Sequence, residues 1–226
     1  MYTMFKVSKA KPDNQFRISR DRMVAQQIER RGIKDPRILE AMSNVPRHLF
    51  VDEALWDQAY GDFPIPIGSG QTMSQPYIVA LMTQQLGLKG DEKVLEVGTG
   101  SGYQAAILAE LVRVVYSVER IHALLPGARK ILERLKYTNV MLKLDDGTWG
   151  WQSEAPFDAI IVTAGSPSVP QPLIDQLNDP GILIIPVGDE YSQVLVKITK
   201  SNGKIHQEDM GGVRFVKLVG DHGWKA

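Results

Sequence analysis

Short apolar runs alternate with amphipathic segments through the middle of the chain. Lys93–Val97, Arg113–Val118 and Val140–Leu144 are short and rich in β-branched residues, which predicts buried strands. The segments 102–111 and 122–136 between them have helical spacing. The same order continues with a strand at 157–163, a helix at 170–177 and a strand at 181–187. This alternation predicts an α/β fold with a doubly wound, mostly parallel, Rossmann-like sheet and helices on both faces.

The two ends of the chain depart from this alternation. Residues 1–20 are polar and predict a tail or a loosely docked arm. At the other end, Gln193–Thr199 and Gly212–Val219 follow one another without an intervening helix. These two segments predict an antiparallel C-terminal hairpin that closes the edge of the sheet.

We expect a single domain over residues 21–226. Its N-terminal extension at 21–90 shows helical spacing, with one helix starting at Pro76. The stretch 61–76 interrupts this part with several glycines and prolines, which indicates an ordered loop. Residues 91–226 then supply the sheet.

Composition limits the possible functions. The chain has 226 residues, 26 basic and 26 acidic side chains and no cysteine, which excludes disulfide scaffolds and thiolate metal sites. Its four histidines are scattered, so we expect no metal site. The balanced charge argues against a nucleic-acid partner, and no apolar run is long enough to span a membrane. We expect a cytoplasmic protein, and its oligomeric state stays open.

The strongest local signal is VLEVGTGSGYQAAILA at 94–109, a strand that runs through Gly98, Gly100 and Gly102 into a helix. Glycines at such a turn let the backbone approach a ligand closely, next to the free N–H groups of the helix start. A dinucleotide-binding loop would have a further glycine at 103, but Tyr103 stands there. The spacing therefore favours a different nucleoside ligand.

Three carboxylates lie at or beside successive strand ends. Glu96 precedes the glycines, Glu119 ends the second strand, where a doubly wound sheet delivers an acid to ribose hydroxyls, and Asp146 with Gly147 follows the third. A carboxylate at the third position could accept a hydrogen bond from the adenine amine. Together they outline a nucleoside site with little provision for a phosphate chain.

At this point the sequence resembles the class I S-adenosylmethionine-dependent methyltransferases, whose first motif looks like Glu96–Gly102. GQTMSQPYIVALM at 70–82, APFDAIIVTAG at 155–165 and PGILIIPVG at 180–188 are further similar to the protein-L-isoaspartate O-methyltransferase family. The resemblance implies S-adenosyl-L-methionine as methyl donor. It also implies isoaspartyl-containing proteins and peptides as substrates, whose free carboxylate is methylated to start repair.

The resemblance also assigns residues. It implies Ser74 as the active-site residue, and it assigns the cofactor shell to Gln71, Thr72, Glu96, Gly98, Thr99, Gly100, Gly102, Glu119, Asp146 and Gly147. It places an extended peptide near Val213–Leu218, with Val213, Phe215 and Val216 as substrate-binding residues. Lys217 departs from the family, which usually has proline there.

Two alternatives stay open from the residues alone. Ser74 or Thr72 could instead cap the helix that starts at Pro76. The protein could also be a non-catalytic adaptor that binds cofactor and peptide, or a methyltransferase for a different acceptor.

Overall fold

The computed structural model describes residues 13–225. Its α-helices are α1 (Asp13–Met23), α2 (Pro36–Asn44), α3 (Pro76–Gln85), α4 (Tyr103–Ala109), α5 (Leu125–Arg134) and α6 (Gln171–Asp175). Its strands are β1 (Ile65–Gly68), β2 (Gln71–Met73), β3 (Lys93–Val97), β4 (Val114–Glu119), β5 (Val140–Leu144), β6 (Phe157–Val162), β7 (Leu177–Gly188), β8 (Gln193–Ser201) and β9 (Lys204–Val213). None of these helices combines the length and the apolar character that crossing a bilayer requires.

Seven strands form the central sheet in the order β5-β4-β3-β6-β7-β8-β9. Strands β3 to β7 pair in parallel, and β8 and β9 add to the edge in antiparallel fashion. The predicted doubly wound sheet is confirmed. Because the chain first proceeds outward from β3 to β5 and then returns to β6, the strand order reverses between β3 and β6. Ligands of such sheets bind in the crevice at this reversal.

The central strands are apolar on both faces because helices cover both. Val94 of β3 belongs to a buried cluster on one side of the sheet, and its neighbour Leu95 belongs to a cluster on the other. Ile160 and Ile161 of β6 divide in the same way. Successive side chains of a strand point to opposite faces, so a strand with two buried faces reads as a continuous apolar run.

The N-terminal segment is more ordered than its polarity predicts. Helix α1 starts at Asp13, so the expectation of a tail through residue 20 is wrong for 13–20, and residues 1–12 lie outside the described residues. Phe16 is buried and stacks on His48 with ring centroids 4.2 Å apart. Since Phe16 and Met23 are the buried apolar residues of α1, the helix has only a sparse apolar stripe, which explains why the pattern missed it.

The glycine- and proline-rich stretch at 61–76 contains regular structure. Strands β1 and β2 form a two-stranded antiparallel sheet, with Ile65 opposite Met73. The turn between them has positive φ at Ser69 (52°) and Gly70 (70°). The expected ordered loop is therefore a short hairpin, and it leads directly into α3.

The C-terminal hairpin differs from its prediction in the position of its second strand. Its second strand is Lys204–Val213, not Gly212–Val219. Most residues of β9 are exposed and half of its side chains are polar or charged, so apolar alternation did not reveal the strand, which is held by backbone pairing to β8. Residues 214–219 instead cross the end of the sheet, with isolated bridges from Lys217 to Gly165 and from Val219 to Trp224.

We expect Phe16→Ala to lower the free energy of unfolding by about 3 kcal/mol, because it leaves a cavity against the His48 ring. Urea denaturation followed by circular dichroism measures the change. Ile18→Ala, on the exposed side of the same helix, is the matched control and should cost less than about 1 kcal/mol. Equal effects of the two substitutions would contradict the docking of α1.

Candidate active site

A cavity of about 390 Å³ lies at the carboxyl ends of the central strands. Its volume falls within the usual range for small-molecule sites, about 300–1,000 Å³. Its walls come from the β1–β2 hairpin, the loop after β3 with the start of α4, the end of β4, Gly147 after β5, the end of β6 and the stretch that crosses the sheet at 216–219, together with Val79 of α3. The cavity therefore occupies the crevice where the strand order reverses.

The loop after β3 turns under this cavity in a conformation that favours glycine. Gly98, Gly100 and Gly102 have φ of 98°, 54° and 88°. A Cβ on Gly98 would collide with the Thr163 hydroxyl, and one on Gly100 would lie 3.2 Å from the Ile67 side chain. Gly98, Thr99 and Gly100 line the cavity, while Gly102 lies outside its lining at the N-terminus of α4. Glycine thus permits both the turn and the close contact with the hairpin.

Glu119 lies at the cavity wall where β4 ends. Its side chain is buried, and its two oxygens accept hydrogen bonds from the backbone N–H groups of Gly100 and Ile121, both at 2.8 Å. An ionised carboxylate has about four acceptor positions, so these two bonds leave capacity for ligand hydroxyls. Glu119 holds the glycine loop in place and presents a carboxylate to the cavity.

Glu96 lies behind the glycine loop and is fully buried. The structure does not bring it to the cavity wall, in contrast to the expectation of direct ligand contact. The Ser117 hydroxyl donates a short hydrogen bond to one carboxyl oxygen of Glu96, and Ser117 lies 2.6 Å from the Thr99 hydroxyl. Burial, with a smaller contribution from the nearby Glu119, raises the pKa of Glu96 to about 8 against the opposing effect of the Ser117 hydrogen bond. Glu96 therefore supports the loop from beneath.

Asp146 and Gly147 occupy different positions relative to the cavity. Gly147 lines it, and a Cβ at Gly147 would lie 2.6 Å from a methyl group of Val97. Asp146 does not line it. One carboxylate oxygen of Asp146 accepts hydrogen bonds from the N–H (2.9 Å) and hydroxyl (2.7 Å) of Thr148, and the other accepts from the N–H of Asp221 at 2.8 Å. In this structure Asp146 ties the turn after β5 to the C-terminal segment.

The hairpin at the mouth of the cavity carries two expected cofactor residues, Gln71 and Thr72, and leads to the expected active-site residue, Ser74. Gln71, Thr72 and Ser74 all line the cavity. Helix α3 has Gln75 as its N-cap and no side-chain capping bond. Within residues 13–225 no hydrogen bond of the Ser74 hydroxyl is found, so the helix-capping alternative has no support from the geometry.

A buried guanidinium fixes the position of this hairpin. Arg47 is fully buried, and it donates to the carbonyl oxygens of Ala59 at 2.8 Å and Ser74 at 2.7 Å. Its charged group also lies 4.7 Å from the ring centroid of Tyr103, the first residue of α4. Burial lowers the pKa of Arg47 and raises that of Tyr103 to about 12. Arg47 thereby connects the Ser74 backbone to the start of the helix that follows the glycine loop.

The chain segment that crosses the sheet closes the remaining side of the cavity. Val216 lines it, but Val213 and Phe215 do not. The N–H of Phe215 donates to the buried side chain of Gln193 at 2.8 Å, and Phe215 packs against the main core. Of the three expected substrate contacts in this segment, only Val216 therefore reaches the cavity.

Several lining residues were not found from the sequence. Thr163 follows β6, so its strand-end position was the available signal; its hydroxyl donates to the Gly98 carbonyl at 2.7 Å. The others lie within or beside predicted segments, such as the glycine loop at 94–109 and the stretch 213–218, but were not assigned to the site. They include Ile67, Ser101, Tyr103, Gln104, Arg120, Ile121, Ala164, Lys217 and Val219. Over the part of the chain that the structure describes, no cluster of side chains fits a metal ion.

Glu96→Gln should change how stability depends on pH. Between pH 4.5 and about 8 the unfolded chain ionises Glu96 while the folded chain keeps its proton, so this residue lowers the free energy of unfolding as the pH rises. The variant lacks this contribution. Its free energy of unfolding relative to the parent should increase from about pH 5.5 to pH 8 in urea titrations. Glu208→Gln, on exposed β9, is the control, and a pH-independent difference for Glu96→Gln would contradict the buried acid.

The family model and the sequence relatives of this chain point to the same family. The family model described as protein-L-isoaspartate(D-aspartate) O-methyltransferase matches residues 18–223. A protein-L-isoaspartate O-methyltransferase of Syntrophus aciditrophicus is 58% identical over 93% of this chain and 98% of its own length. A second enzyme of this name, from Geotalea uraniireducens, is 62% identical over 92% of this chain and 96% of its own length.

Solved structures agree with the sequence comparison. One, named protein-L-isoaspartate O-methyltransferase, superposes with a TM-score of 0.83 at 28% identity, covering 90% of this chain and 67% of the other. Another, from Plasmodium falciparum and described as a complex with S-adenosyl-L-homocysteine, has a TM-score of 0.78 at 30% identity, covering 88% of this chain and 98% of the other. The chain belongs to the protein-L-isoaspartate(D-aspartate) O-methyltransferase family.

Proposed function

We propose that this protein transfers a methyl group from S-adenosylmethionine to the free carboxylate of L-isoaspartyl residues in damaged proteins and peptides. The observation that carries the proposal is a single cavity with the glycine loop and Glu119 on one wall and, on another, the Ser74 hydroxyl, which makes no hydrogen bond within residues 13–225. The relatives named as isoaspartyl methyltransferases support the same reaction. The product is a methyl ester, which starts the repair.

The cavity wall fits an adenosyl ligand in its chemistry. Glu119 offers carboxylate lone pairs where a doubly wound sheet holds ribose hydroxyls, and the glycine loop offers backbone groups in close approach. We assign Gln71, Thr72, Gly98, Thr99, Gly100, Glu119 and Gly147 to direct contact with the cofactor. Glu96, Gly102 and Asp146 are assigned to support of these residues, because they lie outside the cavity lining.

The acceptor needs orientation more than activation. A carboxylate with an unperturbed pKa of about 4 is already ionised at neutral pH, so the transfer requires no general base. S-adenosylmethionine supplies a methyl group bound to a positively charged sulfur, and the transfer is an in-line displacement. Ser74 donates a hydrogen bond to the acceptor carboxylate and aims it, while Arg47 fixes the Ser74 backbone. Correct placement of reacting groups contributes several kcal/mol to such a reaction.

The ester leads to repair through chemistry that follows the enzyme's step. Methylation replaces a poor leaving group with methoxide. The neighbouring backbone amide nitrogen then attacks the ester carbonyl, loses its proton and releases methanol, which forms a succinimide. Addition of water opens this ring to aspartyl or isoaspartyl products, and the aspartyl fraction restores the normal backbone.

The crossing segment offers a place for the substrate backbone. Gly165 donates to the Val216 carbonyl at 2.7 Å and accepts from the Leu218 N–H at 2.8 Å. Because extended backbone alternates its hydrogen-bonding direction, the N–H and C=O of Lys217 point away from Gly165. An extended peptide can pair with these groups by strand addition. We assign Val216 and Lys217 to this contact, and Val213 and Phe215 to positioning the segment.

The decisive assay compares two peptides that differ only at one linkage. We expect methyl transfer from labelled S-adenosylmethionine to an isoaspartyl peptide, scored as base-labile methanol, and none to its normal aspartyl twin. Calorimetry provides the cofactor affinity as a control. Cofactor binding without label on either peptide would favour the non-catalytic adaptor or a different acceptor.

Ser74→Ala and Glu119→Ala should separate the two halves of the site. Loss of a hydrogen bond to a charged acceptor lowers kcat/KM by about ten- to a hundredfold in Ser74→Ala, whereas cofactor affinity stays within about twofold. Glu119→Ala should mainly weaken cofactor binding. Ser153→Ala, on an exposed turn outside the cavity lining, is the control for Ser74. Parallel loss of cofactor affinity and turnover in Ser74→Ala would assign Ser74 a structural role.

A further inference from the structure

A lysine lies in the wall of the cavity where the crossing segment passes. Lys217 lines the cavity, and the bonds of Gly165 to the two neighbouring residues fix its backbone. Its ammonium group lies 2.7 Å from a carboxylate oxygen of Glu190 and 5.8 Å from the ring centroid of Trp224. The cation therefore has a defined position at the acceptor side of the site.

The partner of Lys217 is held on a separate, well-anchored turn. Glu190 lies between β7 and β8, next to Asp189, whose side chain accepts from the N–H groups of Tyr191 (2.7 Å) and Ser192 (2.8 Å). Gln193 connects this turn to the crossing segment, because its amide donates to the Asp189 carbonyl at 2.6 Å and accepts from the Phe215 N–H. The relative placement of Lys217 and Glu190 is thus built into the fold.

The ion pair is open to competition. The side chains of Lys217 and Glu190 are 45% and 41% exposed, and exposed pairs of this kind contribute little to stability. Lys217 lines the cavity and Glu190 does not. A peptide in the cavity therefore contacts Lys217 but not Glu190, and a carboxylate of that peptide can replace or share the contact of the ammonium group with Glu190.

The nearby carboxylate in the cavity does not neutralise this cation. Both oxygens of Glu119 accept backbone hydrogen bonds at the end of β4, and Lys217 is paired with Glu190 instead. Side chains directly opposite one another on paired strands lie about 4.5–5.5 Å apart, and opposite charges there stabilise the pairing. A peptide strand added along the crossing segment places one of its side chains opposite Lys217.

We propose that Lys217 is a specificity-determining residue that selects isoaspartyl substrates with an acidic side chain flanking the damaged residue. The inference rests on the proposed function, since it assumes that the peptide reaches the cavity along the crossing segment. Glu190 competes with the peptide for the Lys217 ammonium group and therefore weakens the preference for acidic flanking residues. Removing Lys217 should abolish this preference, and removing Glu190 should strengthen it.

The test uses isoaspartyl peptides that are identical except for Glu, Gln or Lys at one flanking position, with each side of the isoaspartyl residue varied in turn. At low ionic strength the parent enzyme should favour the Glu peptide over the Lys peptide by about three- to fivefold in kcat/KM. Lys217→Met should bring this ratio to about 1, Lys217→Arg should retain it, and Glu190→Gln should increase it. Salt at about 0.5 M should reduce the ratio in the parent.

The controls distinguish a change in peptide preference from a loss of stability and from an absence of methyl transfer. Lys204→Met, at the exposed start of β9, should leave the ratio unchanged, and thermal unfolding reports the stability of every variant. Fluorescence anisotropy of labelled peptides gives the same ratio from affinities and does not depend on turnover. An equal preference in the parent and in Lys217→Met overturns the inference, whichever isoaspartyl peptides are methylated. Absence of methyl transfer to every peptide by the parent enzyme overturns the proposed function instead.

Discussion

The acceptor side of the site depends on a buried charge, that of Arg47, which has no carboxylate partner among the described residues. Removing a guanidinium from water is costly unless other groups compensate for the lost hydration. Arg47 receives this compensation from two backbone carbonyls and an aromatic face, those of Ala59, Ser74 and Tyr103. Because these groups belong to separate parts of the chain, satisfying the charge requires them to meet. The need to solvate one cation internally thereby fixes the hairpin against the glycine loop.

The three acids of the nucleoside signature look equivalent in the sequence, and the fold gives each a different environment. Glu119 reaches the cavity, Glu96 is enclosed beneath the loop with a raised pKa, and Asp146 bonds to Thr148 and Asp221. Only the first of these lines the cavity. A strand-end position therefore predicts that an acid lies near the ligand, but which oxygen atoms are free depends on the turns that follow each strand.

Features that depend on a few neighbouring residues were predicted from the sequence, whereas features that depend on contacts between distant segments were mostly not. The bounds of β3 and β5 agree with their predictions, and α3 begins at Pro76 as expected, because apolar runs and proline act locally. The glycine loop was also predicted from its spacing, while the role of Ser74 was implied by the family resemblance and stays a prediction. Thr163 reaches the cavity through pairing of distant segments, which no short motif encodes, whereas Lys217 lies in the segment 213–218 that the family resemblance placed near the peptide, without a role of its own. Helix α1 was missed because its two buried apolar residues, Phe16 and Met23, stand among charged ones.

The exposure of β9 has a consequence for association between molecules. An edge strand presents unpaired backbone groups that can recruit another chain, and an apolar edge invites uncontrolled growth of the sheet. Residues 204–209 of β9 are Lys-Ile-His-Gln-Glu-Asp, and all of them are exposed. Pairing a strand of another molecule with β9 would remove water from charged side chains on both faces of the sheet. The exposed polar side chains that made β9 hard to predict from apolar alternation therefore also protect this edge of the sheet against polymerisation.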